Sequence, residues 1–209
     1  MKHFLKSTTF CILLSFILFS CKNDDDSNAS SNQIKTYGIF TVINDTTVKM
    51  NGEIGNNSKI NFDKLISNFP AINRINIQEV PGSMNDQVNL ELSKTVHSKN
   101  IHTHLENNGL IASGGVDFFL SGTKRTKGTN TKIGVHSWGG EDANGNKVTA
   151  TDFPVGHEYH LPYIQYYQIV GFTKEDAEAF YYFTINAASF ESVHWMTDAE
   201  ISQYKLLKE

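Results

Sequence analysis

Only two cysteines occur in 209 residues, Cys11 and Cys21, and both fall within the first 21 positions. Beyond Cys21 there is no thiol, so disulfides, thiol nucleophiles and cysteine-held metals are excluded there. Basic charge is also short: 18 Lys and Arg stand against 22 Asp and Glu. With a net charge of −4, nothing electrostatic points to nucleic acid as a partner. The apolar run FCILLSFILFSC, at 10–21, is too short to span a bilayer comfortably. Internal repeats are missing, and so is the zinc motif H-E-x-x-H, because the histidines of HEYH (157–160) stand three apart rather than four. What remains, 39% hydrophobic and 19% charged, suits one soluble domain with a substantial core.

The N-terminus is distinct. Lys2 and Lys6 precede the apolar run in the manner of a signal peptide. Leu18-Phe19-Ser20-Cys21 resembles a bacterial lipobox, although Phe19 is bulkier than the usual small residue. That resemblance implies a signal peptide at 1–20 and lipidation of Cys21, with an uncleaved signal anchor as the alternative. Cleavage removes Cys11 and both lysines, which takes the net charge from −4 to −6. Acyl chains on Cys21 then make the membrane a partner without a transmembrane helix, placing the protein in the bacterial cell envelope. Residues 21–33, CKNDDDSNASSNQ, read as a disordered acidic tether.

One domain is expected over 34–209. KTYGIFTVI and TTVKMNGEI have strand composition. INFDKLISNF carries Phe62, Leu65, Ile66 and Phe69 at helical spacing and stops at Pro70. INRINIQEV predicts a strand, PGSMND a turn, and Val88, Leu92 and Val96 a helix after it. IHTHLE predicts a short strand ending in a turn at NNG, TKIGVHSW another strand, and 139–156 a long polar loop. Pro162, Thr173 and Thr197 open three closing helices. Strands alternating with helices predict an α/β domain with a mainly parallel sheet.

Candidate chemistry centres on GLIASGGVDFFLSG (109–122). Ser113 is read in two ways, as a helix cap or as a nucleophile at a strand-to-helix turn. The pattern is not G-x-S-x-G, because Ile111 stands where the first glycine belongs. Gly114 and Gly115 would let backbone approach a substrate closely. His136, closing the apolar strand IGVH, could act as base, and the N–H groups of Gly82 and Ser83 could face an oxyanion. Asp117 is either a substrate or supporting contact or an exposed acid near the positive end of a helix. His102 with His104, and His157 with His160, share faces but have no acidic ligand cluster, so no metal is expected.

Taken in order, GEIGNNSKINFDKLI, INRINIQEVPGS, GLIASGGVDFFLSG and TKIGVHSWGG resemble the Clp protease/crotonase superfamily over roughly residues 50–140. PGS at 81–83 matches the family's Pro-Gly-Gly-Ser turn with one glycine fewer. Ala112-Ser113 matches the nucleophile segment and Val135-His136 the base. The match is similar to secreted bacterial Clp-fold proteins loosely labelled α/β hydrolases. The resemblance implies a serine hydrolase, a peptidase more than an esterase, with Ser113 as nucleophile and His136 as base. Backbone N–H groups of Gly114 and of Gly82 or Ser83 would form the oxyanion hole. It implies no cofactor, a peptide or ester substrate, and assembly into homo-oligomers as related folds do.

The family's third, acidic member should lie near FESVHWMT, where Val193 stands between Ser192 and His194. Three readings follow: an acid placed elsewhere, with Glu191 and Asp198 close by, a Ser113–His136 dyad, or a non-catalytic module that keeps the fold. His194, like Asp117, is a candidate supporting residue behind the site. Thioester chemistry of the crotonase type is a further alternative, opposed by the export signal.

Overall fold

The structure, a computed structural model, describes residues 35–142 and 144–209. The signal segment, Cys21 and the tether lie outside the described residues. No helix among those described is long and apolar enough to cross a membrane.

The chain begins with a meander. KTYGIFTVI does not form one strand: Gly38, at φ 60°, turns it into a hairpin of β1 (Thr36–Tyr37) and β2 (Phe40–Asn44). β3 (Thr47–Asn51) pairs antiparallel to β2 and buries Val48 and Met50. Helix α1 (Ser58–Asn68) then crosses to β4 (Arg74–Val80), parallel to β3, with Phe62 and Leu65 turned inward. Asn85 caps α2 (Asp86–Ser98), its side chain accepting from the Val88 N–H at 3.1 Å.

β5 (His102–Ala112) runs parallel to β4 and is the longest strand. NNG is no turn here. Between the pairs Ile77–Leu105 and Glu79–Leu110, β5 advances three residues further than β4, and the excess bulges with Asn108 at φ 57°. The bulge is held because the Asn108 N–H donates to the Thr129 carbonyl and Asn107 Oδ1 accepts from the Thr129 N–H. Sequence punctuation cannot separate a bulge from a turn, since Asn and Gly serve both.

After β5 comes α3 (Gly114–Leu120), every residue of which is buried. A helix apolar on all sides belongs in the middle of a fold, and Asp117 is its single charged residue. Arg125, 4% exposed, points its guanidinium at the carbonyls of Leu120 and Gly122 past the end of this helix, where positive charge is favourable. β6 (Arg125–Lys127) and β7 (Lys132–Val135) both pair parallel to β5, β6 along its first half and β7 along its second.

The predicted polar loop contains structure. β8 (Gly139–Glu141) and β9 (Lys147–Thr149) form a separate hairpin, turned where Asp142 Oδ1 accepts from the N–H groups of Asn144 and Asn146. Helices α4 (Leu161–Ile169) and α5 (Lys174–Ala187) follow, then β10 (His194–Trp195), antiparallel to β7, and α6 (Asp198–Gln203). Thr197 and Glu200 form a reciprocal capping box on α6. The sheet order is β1-β2-β3-β4-β5-β7-β10, with β6 beside β5. Its centre is parallel and its edges antiparallel, so the fold is α/β.

Candidate active site

Three neighbouring parallel strands, β4, β5 and β7, release the chain at the same edge. Pro81-Gly82-Ser83 follows β4, Ser113 follows β5, and His136 follows β7. Ligands in such sheets bind beyond the carboxyl ends of the strands, where loops are free of the ladder. Topology thus brings together segments that are 31 and 23 positions apart in the chain.

Ser113 alone makes the corner between β5 and α3, at φ 51° and ψ −131°. A side chain at such φ is strained, by about 1–3 kcal/mol, and stays there only where its surroundings dictate it. Here both flanking groups are held: the Ser113 N–H donates to the Gly134 carbonyl at 3.0 Å, and its own carbonyl accepts from the Val116 N–H at 2.8 Å. Ser113 occupies the cap position of α3, yet its hydroxyl makes no capping bond. The corner has the strained strand-to-helix form of a nucleophile elbow without the glycine at Ile111.

The glycines divide their work. A Cβ on Gly115 would lie 2.2 Å from the Val80 carbonyl oxygen, so this glycine serves helix-to-strand packing and not substrate approach. A Cβ on Gly114 would strike Ser83 Oγ at 2.6 Å, and one on Gly82 would sit 3.5 Å from Ser113 Cβ. The turn after β4 is therefore packed directly against the serine. Asn89, fully buried in α2, donates to the Gly114 carbonyl at 2.8 Å and orients that peptide. No group among the described residues accepts from the N–H of Gly82, Ser83 or Gly114, although Gly82 and Gly114 are buried. Buried N–H groups left free are uncommon and await an acceptor.

His136 Nδ1 lies 2.7 Å from the Ser137 carbonyl oxygen. A carbonyl only accepts, so Nδ1 carries the proton and Nε2 presents its lone pair. The imidazole is thus oriented by backbone rather than by a carboxylate. No hydrogen bond joins it to Ser113, although both line one cavity. His194, expected nearby, sits on β10 opposite Val135 but turns away, its Nε2 lying 3.0 Å from Glu200 Oε1. It does not line the cavity, and neither do Glu191 and Asp198.

The cavity, about 40 Å3, lies between Ser113 and helices α2, α4 and α5. Its lining includes two carboxyl groups, Asp86 and Asp117. Asp117 is not the exposed helix-face acid of the simpler expectation: it is 8% exposed, and Oδ1 accepts from the Tyr167 hydroxyl at 2.7 Å. Burial pushes its pKa up to about 7 against the opposing pull of the Tyr167 hydrogen bond, with Asp86 adding to the rise. Asp86 accepts from Ser83 Oγ at 2.6 Å and from the Tyr163 hydroxyl. Burial likewise raises the pKa values of Tyr163, Tyr167 and Tyr181, which stay neutral donors. Sequence reasoning missed Asp86, Asn89 and these tyrosines. Asp86 directly after PGSMN was the available signal, but a first-turn acid is ordinary helix chemistry.

The histidine pairs have other partners. His160 is fully buried with Nδ1 2.7 Å from the Tyr181 hydroxyl, and His104 Nδ1 lies 2.7 Å from Thr126 Oγ1. Among the described residues no three His, Cys, Asp or Glu gather as a metal site.

Solved structures share this arrangement of strands and helices. One is described as the 1510-N membrane-bound stomatin-specific protease, a serine-to-alanine variant. It is 17% identical, with TM-score 0.52, covering 78% of this chain and 76% of its own. A lysine-to-alanine variant of the same protease in complex with a substrate peptide has 17% identity, TM-score 0.51 and coverage of 78% and 72%. The fold is of the Clp protease/crotonase type. At that identity the likeness speaks for the fold alone. A 1510-N membrane protease specific for a stomatin homolog, from Pyrococcus horikoshii, aligns at 14% identity and TM-score 0.47, over 78% of this chain and 70% of that one. No family model and no curated protein matches the chain.

Proposed function

We propose that this protein is a lipid-anchored serine hydrolase, a peptidase, with Ser113 as nucleophile and His136 as general base. The observation that carries the reading is the Ser113 corner. A strained, uncapped serine hydroxyl faces the cavity that His136 lines, beside free N–H groups at Gly82 and Gly114. Ser113 Oγ attacks a carbonyl carbon while His136 Nε2 takes its proton. The oxyanion that forms receives hydrogen bonds from Gly114 and from Gly82 or Ser83, each worth on the order of 3 kcal/mol. His136 then returns the proton to the leaving group, and water repeats the sequence on the acyl-enzyme.

The peptidase reading is supported by the fold shared with serine proteases. Among the described residues no lysine lines the cavity, which supports His136 as the base in this reading. The Ser137 carbonyl takes the place of a third carboxylate in holding the ring. Cys21 would carry the anchor through the lipobox-like segment.

A fluorophosphonate tests the nucleophile. Wild-type protein should label, Ser113→Ala should not, and His136→Ala should label slower by about 100-fold or more. Equal labelling of Ser113→Ala would move the assignment to Ser83 or Ser137. The lack of a Ser113–His136 hydrogen bond favours a second reading, a non-catalytic module that retains the fold. Failure of wild type to label would select it, since resting sites with a long bond of this kind still react. For the anchor, mass spectrometry should find diacyl or triacyl Cys21, and Cys21→Ala should release the protein from membranes.

A further inference from the structure

The hydrolase reading leaves one group in the cavity unused. Asp117 stands one helical turn after Ser113, more than nine-tenths buried, and Tyr167 occupies only its Oδ1. Oδ2 accepts no hydrogen bond from any described residue, and Asp117 lines the cavity. Asp86 brings a second carboxyl group to the cavity lining, and among the described residues neither carboxyl has a cationic partner and no Lys or Arg lines the cavity. Such an arrangement costs stability unless something positive enters. The remaining walls suit a cation, because Tyr163 and Tyr181 stack with ring centroids 5.7 Å apart and Trp138 stands beside them.

We propose that Asp117, with Asp86 beside it, determines specificity by taking the primary ammonium of a lysine-like substrate side chain. This role rests on the hydrolase reading, since it places the substrate's charged group against Asp117 while its carbonyl lies at Ser113. A slender ammonium chain suits a narrow cavity better than the planar fork of arginine. The groups that face Asp117 are Asp86 from α2, Tyr163, Tyr166 and Tyr167 from α4, Tyr181 from α5 and His136 after β7. Among these Asp86 and Asp117 are the two carboxyl groups, and the tyrosines stay protonated. Ammonium binding therefore expels the Asp117 proton and strengthens as pH rises through about 7.

The test uses n-butylammonium and its neutral counterpart n-butanol as probes of the full soluble domain, with ligand-observed NMR giving both affinities. At about pH 8 the ammonium should bind tighter by about tenfold or more, and the ratio should shrink at about pH 6. Asp117→Asn should bring the ratio near one. Where that variant does not fold, by circular dichroism, the wild-type pH dependence decides alone. Equal affinities in the wild type at about pH 8, a ratio that ignores pH, or a preference retained by folded Asp117→Asn would each overturn the proposal. Fluorophosphonate labelling separates the two readings. If wild type prefers the ammonium but never labels, the substrate role falls with the nucleophile, whereas labelling without preference sinks the ammonium site alone.

Discussion

The two walls of the cavity are made in opposite ways. One is Ser113 and Gly114, with Gly82 packed against Ser113, and its functional groups are backbone N–H donors and one hydroxyl. Their positions follow from strand ends and from the close contacts of Gly114 with Ser83 and Asn89. The other is Asp86, Asp117, Tyr163 and Tyr167, side chains from three helices, among which burial raises the pKa of Asp117. The backbone N–H donors do not titrate. The side-chain wall is titratable, and its state follows whatever enters the cavity. A hydrolase needs the first kind of wall for the chemistry common to all substrates and the second for choosing among them.

Substitutions on each wall should therefore differ in kind as well as size. The largest effect is expected on the acid side. Asp117 keeps its proton in the folded chain up to about pH 7, whereas an unfolded chain loses it near pH 4. Between those values the unfolded state binds fewer protons, so stability falls as pH rises, then levels off above about 7. Asp117→Asn lacks that loss. It should match wild type in urea unfolding near pH 4 and exceed it near pH 8 by up to roughly 4 kcal/mol. A variant no more stable than wild type at either pH would place Asp117 in contact with water and erase the contrast.

Next comes the packing that holds the backbone donors in place. Gly115→Ala drives a methyl group into the Val80 carbonyl and should destabilise by about 3 kcal/mol at every pH, read by the same unfolding. A pH-dependent deficit would instead mean that the two walls are coupled. The smallest effect lies at the corner itself. Ser113→Gly should melt higher than Ser113→Ala, by about 1 kcal/mol, because glycine accepts φ 51° without strain. Equal melting of the two would show that the turn relaxes once the hydroxyl is gone.

Much of the backbone wall was legible in the sequence. PGS, Ala-Ser-Gly-Gly and Val-His each follow a run of apolar, strand-forming residues, and strand-end chemistry is local. The free hydroxyl was less legible, because a serine before a helix reads as a cap until its φ is known. Asp117 was misjudged in its simpler reading for a similar reason. Its neighbours Val116 and Phe118 mark an apolar helix, but only packing shows that no face of it reaches water. His194 was drawn toward His136 by sequence proximity to the expected acid. Its pairing with Glu200, six residues on, required the turn into α6.

Periodicity and punctuation by themselves determined the α/β class, the strands β3 and β4, the helices α1, α2 and α4–α6, and the order of the candidate site segments. These depend on neighbours within a few residues, so the chain states them directly. Tertiary structure decided the NNG bulge, the hairpin within 139–156, the backbone carbonyl that orients His136 and the meeting of Asp86 and Asp117 in the cavity of Ser113. Each requires groups far apart in the chain to meet, or a charge to lose its water, and no local pattern records either event.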